Sequence, residues 1–383
     1  MTGSRIGIVG GYGEVGASTA RLLYGFGLGP LRIGGRDADA ARRFAGTELS
    51  GADGRGRPAA EHAPVDFTDD ASLDSFAAGC RVLVNCAGPS RLVGNRVARA
   101  ALRAGADHVD VAGDEPLHAL LDDGEWAGAG RAAVLSAGLQ PGLTGLLPRW
   151  AAARDFDEVH RLSVYLCVRD LFTGTAAEDY LHAAAEGRTE MLAAWRDGAR
   201  RSAASVRTAR AELPFFPEPV ALLPHLAPEA ERLARALGLR DGDWYTALAG
   251  EQVGRAFDRV RTLPPAEAVA ALRAASRLDL AGRAHFVRLV VSLDGVREGR
   301  PRSRTAVLRG RSNSGVSGAV AALAVLAALR GELPPGRHYA ADVLDPGAAL
   351  ERLRSAGATA GLEGLTVVDG AYGEPVAVEE GIL

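Results

Sequence analysis

The chain has 383 residues, of which 47% are hydrophobic and 24% are charged, and its formal net charge is −3. This composition is typical of a globular protein and argues against disorder, and the length allows two domains of ordinary size. A slightly acidic chain has no basic footprint for a phosphate backbone, which argues against nucleic acid as a partner. All 44 basic residues are arginine, so no lysine can serve as a proton donor or a Schiff-base nucleophile.

The cysteines and the apolar runs indicate the compartment. Cys80, Cys86 and Cys167 lack the spacing of metal ligands, and their odd number argues against a secreted disulfide framework. We therefore predict no bound metal. The first strand begins almost at the amino terminus and no run of about 18 apolar residues is evident, so neither a signal peptide nor a membrane span is predicted. The expected location is the cytoplasm.

A strand, a glycine-rich turn and a helix follow one another within residues 6–23, where Gly11, Gly13 and Gly16 form a G-x-G-x-x-G pattern. In a dinucleotide-binding turn these glycines allow a tight bend, close approach of the pyrophosphate, and close packing of the helix on the strand. The helix start presents N–H groups and a positive dipole end to the phosphates. The alternative is a merely structural strand-turn-helix. We predict cofactor contacts from Gly11, Tyr12, Gly13, Glu14, Val15 and Gly16.

The second strand, predicted at 31–36, ends in Gly34-Gly35-Arg36. An NAD enzyme usually has an acidic residue here that accepts from the ribose 2′-hydroxyl, whereas an arginine accommodates the 2′-phosphate of NADP. Charge-assisted hydrogen bonds of about 1.5–3 kcal/mol would give roughly 10- to 100-fold discrimination. We predict NADP(H). The adjacent Asp37 keeps NAD(H) as the less favoured cofactor, and stacking of Arg36 on adenine or capping of the next helix is the structural alternative.

Short apolar strands alternate with helical segments up to residue 137. The later strands are predicted at 64–67, 81–86, 108–112 and 131–136, with helices that include 69–78 and 92–104. This alternation implies a parallel sheet, and six strands in about 137 residues is the size of one doubly wound domain. The predicted fold class is α/β, with an N-terminal Rossmann domain at 1–137.

Ligands of open α/β sheets lie beyond the carboxyl ends of the strands, so the residues that follow each strand are candidate contacts. Each of these segments is also ordinary turn sequence, Gly88-Pro89 above all. The candidates are Asp66 and Phe67 beside the adenine, Asn85, Ala87, Gly88 and Pro89 near the nicotinamide ribose, and Gly113, Asp114 and Glu115 close to the reacting carbon.

From residue 157 the pattern changes. A longer alternating strand at 160–168 precedes a mostly helical block at 172–284 and an antiparallel hairpin of 285–293 and 302–309. This predicts a second, α+β substrate domain made of 138–313 and 334–383. The apolar helix at 314–333 is expected to pack back on the Rossmann domain. Exposed edges of the second sheet make a homodimer the expected assembly.

Several segments together resemble one enzyme family. They are G-G-Y-G-E-V-G in the first turn, V-L-V-N-C-A-G-P at 82–89, A-G-A-D-H-V-D-V-A-G-D at 104–114 and G-L-Q-P-G-L at 138–143. The chain resembles the saccharopine dehydrogenase-like NAD(P)-dependent oxidoreductases there, and residues 315–339 are similar to the closing segment of that family. The resemblance implies a Rossmann fold, an NAD(P) cofactor and hydride transfer to an imine carbon, as in saccharopine reductases and carboxynorspermidine dehydrogenase-like relatives. A family mechanism that uses a lysine acid cannot apply to this chain.

An imine nitrogen must be protonated as the carbon is reduced, so a proton donor is expected. The candidates that the sequence places near the reaction are Asp114, Tyr165, Asp170, Tyr180 and His182, of which Asp114, Asp170 and Tyr165 are preferred. For Tyr165 the alternative is a half-buried strand aromatic.

The substrate is expected to be an amino-acid-derived imine, or a keto acid plus an amine, and therefore to carry a carboxylate. Arg169 is predicted to bind it, and Arg288 and Arg309 also leave strands of the second domain. The helix start that follows Gln140 and Pro141 offers backbone N–H groups to the same anion.

We therefore expect an NADPH-dependent oxidoreductase that reduces a C=N bond of a small molecule. One alternative is reduction of a C=C bond, as in another branch of the same family. A second is a regulator that senses NADP without turnover, because such folds do not dictate chemistry. The large second domain favours an enzyme, since a sensor needs no roomy second site.

Overall fold

The computed structural model describes residues 5–50, 60–370 and Tyr372. The amino-terminal part alternates short strands and helices. In chain order its elements are β1 (Arg5–Val9), α1 (Glu14–Gly25), β2 (Leu31–Gly35), α2 (Ala38–Glu48), β3 (Ala60–Pro64), α3 (Asp70–Ala77), β4 (Cys80–Asn85), α4 (Ser90–Val93), α5 (Arg96–Arg103), β5 (Asp107–Asp110), α6 (Glu115–Leu120), α7 (Asp123–Gly128), β6 (Ala132–Leu135) and α8 (Leu143–Asp155).

The carboxy-terminal part has longer strands and further helices, with 3₁₀ turns at Val260–Thr262 and Gly357–Ala360. Its elements are β7 (Glu158–Arg169), α9 (Gly174–Ala185), β8 (Glu190–Met191), β9 (Ala194–Arg196), β10 (Ala199–Arg201), β11 (Thr208–Ala211), β12 (Val220–Leu226), α10 (Pro228–Ala236), β13 (Asp241–Leu248), α11 (Gln252–Arg259), α12 (Pro265–Leu280), β14 (Phe286–Arg297), β15 (Arg300–Gly310), α13 (Asn313–Arg330), β16 (Gly336–Tyr339), α14 (Ala340–Val343), α15 (Pro346–Ala356) and β17 (Leu362–Asp369).

The chain forms two compact units. Unit 1 comprises Met1–Leu146 and Ser314–Gly361, and unit 2 comprises Leu147–Asn313 and Leu362–Leu383. The sheet of unit 1 has the order β16-β6-β5-β4-β1-β2-β3, and all its neighbours are parallel. The strand order reverses between β1 and β4, which is the switch point of a doubly wound sheet. The predicted Rossmann sheet with a second α+β domain is confirmed.

The core of unit 1 lies on both faces of this sheet. Ile6 and Ile8 of β1 and Val82–Val84 of β4 are fully buried, as expected for parallel strands covered by helices on both sides. In α13 every residue from Val316 to Ala328 is buried. A helix that is apolar all round belongs in a core.

Helix α13 also has the length and apolarity of a membrane span. Its 18 residues have a mean hydropathy of 1.4, and 72% of them are buried inside the protein. The expectation that the chain contains no such run is therefore wrong by length and composition. The burial is what a core helix would show, and no other described helix passes the same test.

The sheet of unit 2 is mixed. Its path is β10-β9-β13-β7-β14-β15-β17, and β12 adds to β13 and also pairs with β8 and β11. Strands β7 and β13 are parallel, whereas β14 is antiparallel to both β7 and β15. The β14–β15 hairpin turns through Glu298 and Gly299, both at positive φ, as a two-residue hairpin of the I′ type requires.

The two faces of β14 differ in character. Val287, Leu289, Val291 and Leu293 on one face are fully buried. The alternate residues, on the other face, include Phe286, Arg288 and Ser292. Arg169 of β7 and Arg309 of β15 lie on this second face, opposite Phe286 and Arg288 respectively.

The third strand of unit 1 lies at Ala60–Pro64 and not at the predicted 64–67. It is the edge strand, paired with β2 from Leu31↔Ala60 to Gly35↔Pro64, and its residues are half-buried or exposed. An edge strand lacks the apolar run of a central parallel strand, so the pattern shifted the prediction toward the apolar Val65.

Residues 172–284 are not a helical block. They contain the six strands β8 to β13 as well as helices α9 to α12. Four of these strands have two to four residues, too few for an alternating pattern. Strand β13 begins with Asp241-Gly242-Asp243, and these residue types are depleted in strands.

Residues 334–361 belong to unit 1 and not to the second domain as predicted. Strand β16 pairs in parallel with β6 from Gly336↔Ala132 to Tyr339↔Leu135 and so extends the Rossmann sheet. A four-residue strand directly after Pro334-Pro335 carries too little pattern to be recognised. The helix predicted at 92–104 is likewise two helices, α4 and α5, separated at Gly94, which has φ of 52°.

Candidate functional site

The glycine turn between β1 and α1 is shaped by close backbone contacts. A Cβ on Gly16 would lie 2.2 Å from the carbonyl oxygen of Gly10, and one on Gly11 would lie 2.9 Å from that of Ile8. Gly10 has φ of +75°, and its Cβ would meet the amide nitrogen of Ala87 at 2.9 Å. Of the four glycines of this turn, only Gly13 is exposed, and a Cβ built on it would have the carbonyl oxygen of Gly10 as its nearest neighbour, at 3.2 Å. The outer surface of the turn is thus open to a ligand.

Helix α1 begins at this open surface. Its N-cap is Gly13, whose missing side chain leaves the first turn without a side-chain cap. Glu14 is exposed and Val15 is half-buried. Backbone N–H groups and the positive end of the helix dipole at such a site favour an anion.

At the end of β2, Tyr12 and Arg36 flank the glycines. The Tyr12 ring packs directly on Gly35, because a Cβ built on Gly35 would lie 2.3 Å from Cε1 of Tyr12. The Tyr12 hydroxyl accepts a hydrogen bond from the amide of Asp37 at 3.0 Å. Arg36 is exposed and makes no hydrogen bond or ion pair with the described residues. Its guanidinium remains available for a phosphate.

Two acidic residues beside Arg36 have structural roles. Asp37 caps α2 by accepting from the amide of Ala40 at 2.9 Å. Asp66 accepts from both the amide and the hydroxyl of Thr68. These hydrogen bonds, and the charge of Arg36, hold the pKa of Asp66 below its ordinary value. The neighbouring Phe67 packs against the core of unit 1.

The ends of β4 and β5 are joined by a buried amide and a buried carboxylate. Asn85 donates from Nδ2 to Oδ2 of Asp110 at 2.8 Å and accepts on Oδ1 from the amide of Ala87 at 3.1 Å. Asp110 accepts on Oδ1 from the amides of Ala112 and Gly113 at 3.0 and 2.6 Å. One pair of side chains therefore fixes the start of both strand-end loops, including the loop with Gly88 and Pro89.

Asp110 remains a carboxylate in this setting. Burial alone would raise its pKa, but the neighbouring His108 and the hydrogen bonds from Asn85 and Gly113 outweigh burial and lower the pKa. His108 is fully buried, with Nδ1 3.1 Å from the carbonyl oxygen of Leu83 and Nε2 3.7 Å from Oδ2 of Asp110. Asn85, His108 and Asp110 are thus three buried polar residues of the parallel sheet.

Asp114 lies at the end of the loop after β5 and precedes α6. It is half-buried, and Ser136 Oγ lies 3.5 Å from its Oδ1 and donates to the carbonyl of Gly113 at 2.8 Å. Ser136 follows β6 and has φ of 57°. The predicted proton donor is therefore next to a hydroxyl at the carboxyl edge of the parallel sheet, on the same unit as the glycine turn.

Gln140 and Pro141 belong to a tight loop before α8. The amide of Gly138 donates to the carbonyl of Pro141 at 3.2 Å, and the amide of Leu143 donates to that of Gly138 at 2.9 Å. The side chain of Gln140 is exposed.

In unit 2, the predicted donors Asp170 and Tyr165 have evident structural contacts. Asp170 accepts from the amides of Leu171 and Asn313 at 2.8 and 2.9 Å, and its Oδ1 lies 2.9 Å from Nδ1 of His285. Tyr165 stacks on Tyr245, with ring centroids 4.8 Å apart, and burial raises its pKa well above its ordinary value. Such a phenol is poorly matched to proton transfer near neutral pH.

The predicted carboxylate ligand Arg169 is neutralised within the protein. Its Nη1 lies 2.5 Å from Oε1 of Glu218, and its Nε donates to the carbonyl of Ala284 at 2.9 Å. A substrate carboxylate would have to displace Glu218. None of these three residues of unit 2 therefore has the free polar group that Arg36 has in unit 1.

Residues 6–134 match the model of the saccharopine dehydrogenase NADP binding domain family. This part of the chain is similar to the NADP-binding domain of saccharopine dehydrogenases. The predicted resemblance is confirmed, and the cofactor of this domain is NADP(H). Its open glycine turn and exposed Arg36 fit a pyrophosphate and a 2′-phosphate.

Two solved structures share the fold over most of this chain. Apo histidine-tagged saccharopine dehydrogenase (L-Glu forming) from Saccharomyces cerevisiae has a TM-score of 0.70 and 14% identity, over 96% of this chain and 100% of that chain. DAP dehydrogenase of C. glutamicum, in complex with DAP, has a TM-score of 0.50 and 19% identity, over 93% and 99% of the two chains. At these identities the likeness is one of fold.

A lipid droplet localized protein of Caenorhabditis elegans is 43% identical over 50 residues. The match spans 13% of this chain and 12% of the relative. The match is too short to transfer an activity.

Sequence reasoning missed Asp110, His108 and Ser136. The first two lie within the segment A-G-A-D-H-V-D-V-A-G-D that carries the resemblance. The signal was available, because polar side chains in a central strand of a parallel sheet must be buried, and buried polar groups need partners. Asp110 and Ser136 hydrogen-bond to backbone groups of the loop after β5, and His108 lies beside Asp110.

Proposed function

We propose that this chain is an NADPH-dependent reductase of a C=N bond in an amino-acid-derived small molecule. The observation that carries the proposal is the placement of Asp114, a half-buried carboxyl beside Ser136, at the same sheet edge as the NADP-binding turn. The names of two proteins of this fold, a saccharopine dehydrogenase and a DAP dehydrogenase, support an amino-acid-derived substrate.

The roles of the residues follow from their positions. Gly11, Gly13 and Gly16, with Tyr12, shape the turn that would hold the pyrophosphate, and Arg36 would pair with the 2′-phosphate. NADPH, when bound, supplies the hydride. Asp114 would deliver the proton to the imine nitrogen, so that hydride on carbon and proton on nitrogen together convert C=N into CH–NH.

Asp114 is preferred to Asp170 and Tyr165 as the donor. Asp170 is held by two amides and His285, and Tyr165 has a raised pKa. We further propose a cytoplasmic homodimer with no nucleic-acid or membrane partner, on the grounds of composition and exposed sheet edges.

The proposal is tested with two substrate panels. NADPH oxidation is followed with 2-oxo acids plus amines and with preformed cyclic imines, and separately with α,β-unsaturated acyl compounds. Imine reduction is expected, with a rate that falls at high pH as the donor loses its proton. Asp114→Asn should lower kcat by about 10²-fold or more. Asp74→Asn is the control, because Asp74 is an exposed carboxylate paired with Arg103 on the surface of unit 1.

The outcome can contradict the proposal in two ways. If only the α,β-unsaturated acyl compounds are reduced, the proposed C=N reduction is wrong and the reaction is C=C reduction. NADPH binding without oxidation on either panel would instead favour the sensing regulator. An unchanged kcat in Asp114→Asn would remove Asp114 as donor and leave the reaction class intact.

A further inference from the structure

Two arginines face each other across the hairpin of unit 2. Arg288 of β14 and Arg309 of β15 are directly opposite in the antiparallel register. Side chains at such positions lie on the same face of the sheet, with Cβ atoms about 4.5–5.5 Å apart, and like charges there are destabilising. An anion close to both guanidinium groups would therefore stabilise this pair.

The described residues compensate this pair only in part. Among them, Glu363 is the one carboxylate at ion-pair distance, with Oε2 3.5 Å from Nη1 of Arg288, and its side chain is 40% exposed. Arg309 instead donates to the hydroxyl of Thr366 at 2.6 Å. Two guanidinium groups carry ten N–H donors. Three hydrogen bonds to described residues use them, to Val287 O, Glu363 and Thr366.

Partial burial makes the uncompensated positive charge of Arg288 and Arg309 unfavourable. The side chain of Arg288 is 15% exposed, and Arg309 is half-buried. Burial lowers the pKa of Arg288. The negative charge of Glu363 raises this pKa, whereas the positive charge of Arg309 lowers it further. Cys167, the neighbour of Arg288 on β7, is fully buried, and burial raises the pKa of its thiol to about 12, so it supplies no negative charge.

Arg169 on the same sheet shows the contrast. Its side chain is 10% exposed, as buried as that of Arg288, but Glu218 lies 2.5 Å from it. The ring of Phe286 lies 4.6 Å from the guanidinium carbon of Arg169 and 5.3 Å from that of Arg288, so it orients both. The nearest described carboxylate is thus 2.5 Å from Arg169 but 3.5 Å from Arg288.

We propose that Arg288 and Arg309 form a carboxylate-binding subsite on this face of unit 2. A carboxylate offers two oxygens to two guanidinium groups, whose planar forks bind such anions bidentately. The assignment of the carboxylate to an amino-acid-derived substrate rests on the proposed function. The anion-binding property does not depend on the reaction.

The test uses glutarate as the probe and glutaramide, its uncharged counterpart, as the control ligand. Each is titrated calorimetrically into the NADPH-saturated protein. Glutarate is expected to bind the wild type, and Arg309→Met and Arg288→Met should each weaken it by about 10-fold or more, because each removes a charge-assisted hydrogen bond. Arg309→Lys should fall between, since lysine keeps the charge without the fork.

Arg300→Met is the matched control, because Arg300 lies at the other end of β15 and is exposed. Circular dichroism establishes that each variant is folded. The subsite is overturned if glutarate does not bind the wild type, if glutaramide binds equally well, or if both methionine variants retain the affinity.

The same proteins separate this inference from the proposed reaction. Glutarate binding that depends on Arg288 and Arg309, without reduction of any imine, would leave the subsite standing and contradict the reaction. Imine reduction with an unchanged KM in Arg309→Met would support the reaction and contradict the subsite.

Discussion

Asn85 and Asp110 divide their polar groups so that each side chain serves a different loop. Asp110 binds two amides of the loop after β5, Asn85 binds one amide of the loop after β4, and the two join at 2.8 Å. Both are nearly fully buried, where an unsatisfied polar group costs about 1–3 kcal/mol. The pair therefore positions the loops that carry Pro89 and Asp114.

Exchange of the two residues tests this role. Asn85→Asp alone would set two carboxylates against each other, and Asp110→Asn alone would oppose two amide NH₂ groups, so each should weaken NADPH binding and lower Tm by a few degrees or more. In the double variant, the amide introduced at position 110 can accept from both loop amides and donate to the carboxylate introduced at position 85, which still accepts from Ala87. Most of the loss should then be recovered, as measured by Trp fluorescence quenching and thermal unfolding.

The double variant decides between pairing and independent effects. If its loss equals the sum of the two single losses, the residues are not coupled. A pH series adds a second check. The pKa of Asp110 is lowered by folding, so its carboxylate stabilises the protein above its unfolded pKa of about 3.9, and this contribution is lost as pH falls through the lower folded value. The difference between wild type and Asp110→Asn should therefore narrow below about pH 4.

For single residues, the sequence predicts which side chains are candidates for a site better than it predicts which groups they contact. Arg36 directly follows strand β2 at the carboxyl edge of the sheet, so its exposed position could be predicted from neighbouring residues alone. Arg169 could not be separated from Arg288 and Arg309, because Glu218 lies 49 residues away in sequence and neutralises only the first. Asp170 is engaged by Asn313, which is 143 residues away.

The turn between β1 and α1 shows what an element adds to a motif. The pattern G-x-G-x-x-G treats its glycines alike, but their surroundings differ. Gly16 is required by packing, since its Cβ would lie 2.2 Å from Gly10 O, whereas Gly13 is exposed with no neighbour closer than 3.2 Å. The same element therefore contains one glycine needed for the fold and one that can serve the ligand.

Two valine substitutions separate these roles. Gly13→Val should leave a folded protein that no longer binds NADPH, because a branched side chain occupies the surface that the pyrophosphate approaches. Gly16→Val should lower the Tm sharply, since helix α1 cannot stay packed on β1. Circular dichroism, thermal unfolding and NADPH titration measure both. Retained binding in Gly13→Val would show that the phosphates lie elsewhere.

Elements were predictable where a long segment carried one consistent signal. Helix α13 is a long Ala-rich apolar segment and the β14–β15 hairpin has two long strands, and both lie close to their predicted bounds. Strand β3 and strands β8 to β11 lie at edges or have few residues. Their pairing is decided by neighbouring strands and not by their own sequence, since strand propensity depends on context.

The three cysteines are divided between the two units, which makes them probes of the whole molecule. Cys80 and Cys86 belong to unit 1 and Cys167 belongs to unit 2. Burial raises the pKa of Cys80, and it raises those of Cys86 and Cys167 to about 12. The thiolate is the reactive form, so at pH 8 a pKa of 12 in place of about 9 leaves roughly 10³-fold less of it.

We therefore expect iodoacetamide to label Cys86 and Cys167 in the native protein far more slowly than in urea-unfolded protein, with labelling followed by mass spectrometry of peptides. NADPH binds unit 1, and a ligand stabilises what it binds by about 2.7 kcal/mol at 100 times its Kd. If the units unfold together, NADPH should slow labelling of Cys167 as much as that of Cys86. If they unfold separately, only Cys80 and Cys86 should be protected. Rapid labelling of Cys167 without denaturant would contradict its burial, because no unfolding would then be needed to expose the thiol.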